Sequence, residues 1–292
     1  VKVLAPAKIN IYLRVLGKRP DNYHELSTIM VPISLADEIS LGKTSSGITL
    51  SAPGSGCPAE QNLAFRAAKL FFETTGISGG VSMEIVKNIP VGAGLGGGSS
   101  DASGVLYALN QLYAAGLGMD ELASLAGKLG ADCPFFIFRK AMLMGSRGDV
   151  PLEEVFLEDR GFLIVIPPVS ISTSEVYSKY SAPLTLEDDR IKIYWQKNVY
   201  IAPELWVLND LESVVLDIYP ELTNIKKDLI GAGALNAGMS GSGSAFFGIF
   251  ESDAQLNGAL GRLNRREGYR YIPTTRLTGD SYGDYRGEGI SS

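Results

Sequence analysis

Pro90-Val91-Gly92-Ala93-Gly94-Leu95-Gly96-Gly97-Gly98-Ser99-Ser100 lies between an alternating apolar run, Val81 to Ile85, and a pattern of helical spacing, Val105, Leu106, Leu109 and Leu112. A tight strand-to-helix connection needs one or two glycines, and here five of the seven positions from 92 to 98 are glycine. Glycine is entropically costly, but it reaches φ > 0, so successive N–H groups can point into one cavity. The helix that follows adds unpaired N-terminal donors and the positive end of its dipole. Ser99 and Ser100 add hydroxyl donors. The segment predicts a cradle for a phosphate chain.

Two other matches are weaker. Gly92-x-Gly94-x-x-Gly97 fits the dinucleotide fingerprint, which requires a second strand closed by an acidic residue about 20 positions on. Asp120 and Glu121 stand near that distance but open a helix. Gly42-Lys43-Thr44 resembles the end of a P-loop, yet the glycine needed five positions earlier is Asp37.

Outward from the loop, Val1–Leu4, Ile9–Val15 and Leu26–Ile33 read as strands, with a dense turn at Gly17–Asn22 and Pro32 marking an edge or bulge. The start reads as a strand and not as a signal peptide. Asn62–Phe72 and Glu121–Leu129 read as helices, and Phe135–Phe138 as a short apolar strand. Gly145–Asp159 is more polar and places a domain boundary. Strands at Gly161–Val169 and Ala245–Phe250 follow, with helices at Leu205–Leu216, Glu221–Leu229 and Ala254–Arg265. The mixed order predicts an α+β fold rather than regular βαβ winding. The expected units are residues 1–155 and 156–278, with a polar, flexible tail over 279–292.

The chain has 292 residues, 45% of them hydrophobic and 20% charged, which supports a sizeable core. A formal net charge of −6 argues against a bulk nucleic-acid binder. No apolar run reaches the length of a membrane span. Two cysteines, Cys57 and Cys133, allow at most one bridge and fit a reducing cytoplasm. With one histidine they cannot form a four-ligand metal site, so no metal ligands are assigned. The expected partners are small molecules, and the expected state is a monomer or weak homodimer.

Three further segments bear on chemistry. Ala5-Pro6-Ala7-Lys8-Ile9-Asn10 puts a lysine in an apolar strand, with Asn10 on the same face. Lys8 reads equally as a paired buried group or a solvated edge lysine. Asp132, in Gly130-Ala131-Asp132-Cys133-Pro134, taken alone is an ordinary turn aspartate. Gly238-Met239-Ser240-Gly241-Ser242-Gly243-Ser244 is either a second backbone nest or a loop of small residues packed on the first. His24, the only histidine, follows Tyr23, which could stack on a flat ligand.

Together these segments resemble the GHMP kinase superfamily, with Pro90–Ser100 as its central ATP loop and Gly238–Ser244 as its C-terminal motif. Ala5–Asn10, Arg19-Pro20-Asp21-Asn22-Tyr23-His24-Glu25-Leu26 and Gly130–Phe136 resemble the branch acting on 4-diphosphocytidyl-2-C-methyl-D-erythritol. The resemblance implies an α+β N-terminal domain, a ferredoxin-like C-terminal domain and an active site between them. It implies phosphorylation of the substrate's 2-hydroxyl by ATP with Mg²⁺, in the non-mevalonate route to isoprenoid precursors. Asp132 would be the base and Lys8 its charge partner. Pro90, Val91, Gly92, Ala93, Gly94, Leu95, Gly96, Gly97, Gly98, Ser99 and Ser100 would hold ATP, with Asn62 and Lys87 near its adenosine. Asn10, Tyr23, His24, Thr173 and Tyr177 would contact the substrate, Tyr23 stacking on the cytosine and His24 reading its edge. Asn22 stands where the family commonly has Gly, and Met142–Asp149 is not a clean match, which leaves that loop's role open. Another GHMP kinase, a non-catalytic sensor and a dinucleotide oxidoreductase are the rival readings.

Overall fold

The computed structural model describes residues 1–181 and 201–277. The expected tail, 279–292, lies outside the described residues. The N-terminal half is organised by two long strands, β1 (Lys2–Lys18) and β2 (His24–Thr44), paired antiparallel from Lys2 opposite Ser40 to Lys18 opposite His24. Their turn needs a left-handed residue, and Asn22 supplies it at φ 67°. Pro32 sits in β2 between the stretches paired with two other strands. Its backbone faces away from β1, and its carbonyl accepts from Leu277 N at 2.9 Å. The missing N–H therefore breaks no ladder, as expected for an edge position.

The remaining strands of this sheet are β3 (Gly47–Ser51), β4 (Gly80–Val86), β5 (Met142–Gly145), β6 (Val150–Glu154) and the later β8 (Leu208–Asn209). Gly42–Thr44 is ladder backbone opposite β4, not a phosphate loop. Helices α1 (Leu63–Thr75), α2 (Gly97–Leu112) and α3 (Met119–Gly127) cover one face, burying Phe71, Val105, Leu109 and Leu122 against Ile39 and Ile85.

The expected strand Phe135–Phe138 is instead part of a short helix, α4 (Cys133–Phe138). A continuous apolar run cannot separate buried strand from buried helix by period, and Pro134 in the first turn favours helix.

β7 (Gly161–Ile166), β9 (Asn236–Met239), β10 (Phe246–Phe250) and β11 (Arg270–Thr275) form a second, antiparallel sheet in the order β11-β7-β10-β9. Numbered within the sheet this is 4-1-3-2, the ferredoxin-like arrangement, so the α+β expectation holds for both halves. Helices α5 (Thr173–Lys179), α6 (Glu212–Ile218), α7 (Thr223–Gly231) and α8 (Asp253–Arg262) accompany it. The helix expected over Leu205–Leu216 is broken. A 3₁₀ turn, Pro203–Trp206, leads into β8, which pairs parallel with β1 at Tyr12 and Leu13 before α6 begins. Ile9, Ile29, Phe162, Ile164 and Phe247 share one buried core, so the two sheets pack as a unit around the base of the site.

Candidate active site

The glycine loop leaves β4 and turns into α2 with Gly92, Gly94 and Gly96 all left-handed, at φ 73°, 76° and 74°. At Gly94 the requirement is also one of space. A Cβ there would sit 2.6 Å from Gly243 O and 2.7 Å from Ser240 O. The two glycine-serine loops thus pack on each other: Ala245 N donates to Ala93 O at 3.0 Å, and Ser240 Oγ to Gly94 O at 3.3 Å. Of the two readings of Gly238–Ser244, the packing one describes these contacts. Asn209 Nδ2 braces the second loop by donating to Met239 O and Gly241 O, both at 2.8 Å.

Lys8 is buried on β1, with its side chain 4% exposed. Its Nζ donates to Asn10 Oδ1 at 2.5 Å and lies 3.6 Å from Asp132 Oδ2. Asn10 Nδ2 donates to Thr28 Oγ1 at 2.8 Å, and the Thr28 hydroxyl in turn donates to Tyr12 O at 2.7 Å. This chain fixes the Asn10 amide with its oxygen toward Lys8. Asp132, at the start of α4, keeps 34% of its side chain exposed toward a cavity of about 750 Å³. Lys8 is therefore a paired buried lysine, and Asp132 is its ion-pair partner at the cavity wall.

Asn10, Tyr23, His24, Thr173 and Tyr177 line that same cavity. Thr173 Oγ1 lies 2.8 Å from Ser242 Oγ, joining α5 to the second loop. His24 and Tyr177 stack on each other, with centroids 5.1 Å apart and planes at 28°. Burial, helped by the nearby Lys18 charge, holds the His24 imidazole below its ordinary pKa. Burial and then the Asp132 carboxylate raise that of Tyr177. Lys18, Arg147 and Tyr180 line the cavity as well and were not singled out from sequence. They sit in turns and at element ends, where no periodicity marks them.

A second cavity, about 340 Å³, is lined by Pro90–Ser99 together with Asn62, Lys87 and Asp101. Asn62 caps α1, its Oδ1 accepting from Ala64 N at 2.9 Å, so its amide NH₂ is the group left to offer a ligand. Ser100, by contrast, turns inward and is buried in the first turn of α2. Lys87 bridges two buried carboxylates, Asp37 and Asp101, the latter at 2.6 Å. Asp37 Oδ1 also accepts from Asn88 N at 2.6 Å and Ile89 N at 2.8 Å, locking the entry to the loop. Burial, opposed by Lys87 and aided by repulsion from Asp37, pushes the Asp101 carboxyl up to about 7. Desolvation works to lower the Lys87 pKa, but Asp101 and Asp37 outweigh it and hold the ammonium above its ordinary value. Asp37, flanked by Ala36 and Glu38 in β2, and Asp101, just after the loop, carry no mark of this role in the sequence. Gly94 and Gly96 line both cavities, so the two meet at the loop.

Cys57 is exposed and Cys133 buried, and both are free thiols; burial pushes the latter up to about 12. Among the described residues no helix is long and apolar enough to cross a membrane.

Residues 62–140 match the GHMP kinases N terminal domain and residues 199–269 the GHMP kinases C terminal domain. The chain is 41% identical over 257 residues to the 4-diphosphocytidyl-2-C-methyl-D-erythritol kinase of Syntrophus aciditrophicus (strain SB), covering 87% of this chain and 91% of that one. It is 42% identical over 270 residues to the protein of the same name from Syntrophotalea carbinolica, covering 91% and 95%. A crystal structure of 4-(cytidine 5'-diphospho)-2C-methyl-D-erythritol kinase superposes with a TM-score of 0.80 at 35% identity, over 96% of this chain and 100% of the other. The homoserine kinase of Cytophaga hutchinsonii, at 18% identity and a TM-score of 0.68, shares the fold. With two glycine loops clasped over a lysine–aspartate pair and relatives of this identity along nearly its whole length, the chain belongs to the 4-diphosphocytidyl-2-C-methyl-D-erythritol kinase family of GHMP kinases.

Proposed function

We propose that this enzyme transfers the γ-phosphoryl group of ATP to the 2-hydroxyl of 4-diphosphocytidyl-2-C-methyl-D-erythritol, in the non-mevalonate route to isoprenoid precursors. The observation that carries the reading is the junction of the two cavities at Gly94 and Gly96, with Lys8 and Asp132 on the larger side of it. ATP enters the smaller cavity as its Mg²⁺ complex. Its phosphates lie along the N–H groups of the loop and the N-terminus of α2, and Asn62 and Lys87 lie near the adenosine. The acceptor occupies the larger cavity, with the cytosine at Tyr23, His24 and Tyr177, while Asn10 and Thr173 meet its polar groups.

Phosphoryl transfer passes through a loose transition state, so positioning and charge stabilisation do most of the work. Asp132 orients the acceptor hydroxyl and takes its proton late. Lys8 offers this carboxylate a cation within 3.6 Å and is itself held by Asn10. At that separation the attraction is about 4–5 kcal/mol at an effective dielectric near 20, less the screening that Asp132's exposure permits. The same reading divides the chain near residue 155 and places the enzyme in the cytoplasm as a monomer or weak homodimer acting on small molecules.

A coupled ADP-release assay with Mg-ATP tests it, comparing the cytidylyl substrate with mevalonate, homoserine and galactose. Turnover with the cytidylyl compound alone is expected. Turnover with another alcohol would keep the kinase and remove the cytosine pocket. ATP binding without any turnover would favour a sensor.

A further inference from the structure

The β5–β6 turn has no role in the mechanism above, yet it puts a cation against the wall of the acceptor cavity. The Arg147 guanidinium lies over the Tyr23 ring, 4.9 Å from its centroid. Asp149 Oδ2 accepts from Arg147 Nε at 3.0 Å and from Nη2 at 2.6 Å, and Asp149 Oδ1 accepts from Arg147 N at 3.2 Å. This fork fixes the guanidinium plane and commits part of its N–H edge, so a flat face is what remains for the ring. The turn is tied to the segment that carries Tyr23. Leu26 N donates to Ser146 O at 2.6 Å, and Arg19 Nη1 to Ser146 Oγ at 3.1 Å. Ser146 and Gly148 are both left-handed, at φ 58° and 89°, which aims Arg147 between them back over the pocket. Tyr23 itself is 55% exposed, so core packing does little to hold its ring.

We propose that Arg147 is a positioning residue for Tyr23: it occupies one face of the ring by cation–π contact and holds the other face ready for a pyrimidine base. The proposal rests on the cytidylyl reading of the larger cavity. It assigns the Met142–Asp149 loop to specificity for the base rather than to phosphoryl transfer.

Calorimetric titration of the full chain with cytidine 5'-diphosphate tests it, using Arg147→Ala, Tyr23→Ala, the double variant, Arg147→Lys and Asp149→Asn. Arg147→Ala should weaken binding by about two- to tenfold. In the Tyr23→Ala background the same change should add nothing. Arg147→Lys keeps the charge without the planar fork and should restore little, while Asp149→Asn should weaken binding in the same direction. Steady-state kinetics should show a higher KM for the cytidylyl substrate, with kcat and the KM for ATP unmoved. Independent, multiplying effects of the Arg147 and Tyr23 changes would overturn the proposal, since Arg147 would then act on the ligand by itself. Full rescue by lysine, or no binding of cytidine diphosphate to the unaltered protein, would overturn it too. Failure of the functional reading appears separately, as absent ADP release from a protein that still binds cytidine diphosphate.

Discussion

Lys8 and Asp132 face each other across 3.6 Å, yet the tighter partner of Lys8 is Asn10, at 2.5 Å. The lysine is thus held in place by its own strand, and Asp132 is the partner free to reach toward an acceptor. If Asp132 is the base, Asp132→Asn should lower kcat by about 10²–10⁴-fold. The KM for ATP should change little, because Asp132 does not line the smaller cavity proposed for ATP. Single-turnover kinetics with Mg-ATP check this; matching losses in kcat and ATP affinity would count against the base role.

Much of this was legible in the chain. The glycine loop and the turn at Asn22 carry signals that depend only on local backbone chemistry, and both take the left-handed conformations it requires, whereas the sequence left Lys8 open between a paired and a solvated state because Asp132 lies far off along the chain. What was not legible depends on long-range contact. Phe135–Phe138 gives no period to distinguish helix from strand. Leu208–Asn209 leaves the expected helix because β1 offers it a ladder. Arg147 and Asp101 become significant only through neighbours more than ten positions away in sequence, Tyr23 and Lys87.

Asp101 should make stability depend on pH. Its carboxyl is pushed up to about 7 in the folded chain, from an ordinary 3.8. Between those values the folded chain keeps a proton that the unfolded chain releases. Stability therefore falls as pH rises through this window and levels off above it. Asp101→Asn keeps an oxygen for Lys87 but has no proton to lose. Urea unfolding followed from about pH 5 to pH 8 should show a flatter stability profile for the variant. An unchanged slope would mean that Asp101 is not the titrating group.

Two glycines of the same loop should respond differently to alanine. Gly92 and Gly94 share a left-handed φ, so each pays about 1–2 kcal/mol for a Cβ in that conformation. At Gly92 the new methyl meets only Ser170 Oγ, at 3.9 Å. At Gly94 it meets the carbonyl oxygens of Gly243 and Ser240, which are backbone and cannot rotate aside. Gly94→Ala should therefore force the two loops apart and lower the melting temperature well beyond Gly92→Ala. It should also weaken ATP binding, since this loop lines the smaller cavity proposed for ATP. Thermal unfolding and nucleotide titration of both variants check the contrast; equal effects would show that the loop clasp is not what Gly94 protects.

His24 should set the acid limb of acceptor binding. Burial and the Lys18 charge keep its pKa below the ordinary 6.5, so the imidazole is neutral at neutral pH and has one nitrogen to donate and one to accept. That pair suits the edge of a cytosine, and protonation would replace the acceptor with a second donor. The lowered pKa means the change begins only on the acid side of 6.5. The kcat/KM for the cytidylyl substrate should therefore hold through neutral pH and fall below it. His24→Gln retains a donor and an acceptor but does not titrate, so the variant should start from a lower plateau and lose this limb. The comparison to make is kcat/KM against pH for the two proteins. If the acid limb persists unchanged in His24→Gln, it belongs to another group on the reaction path, with Asp132 the first to test.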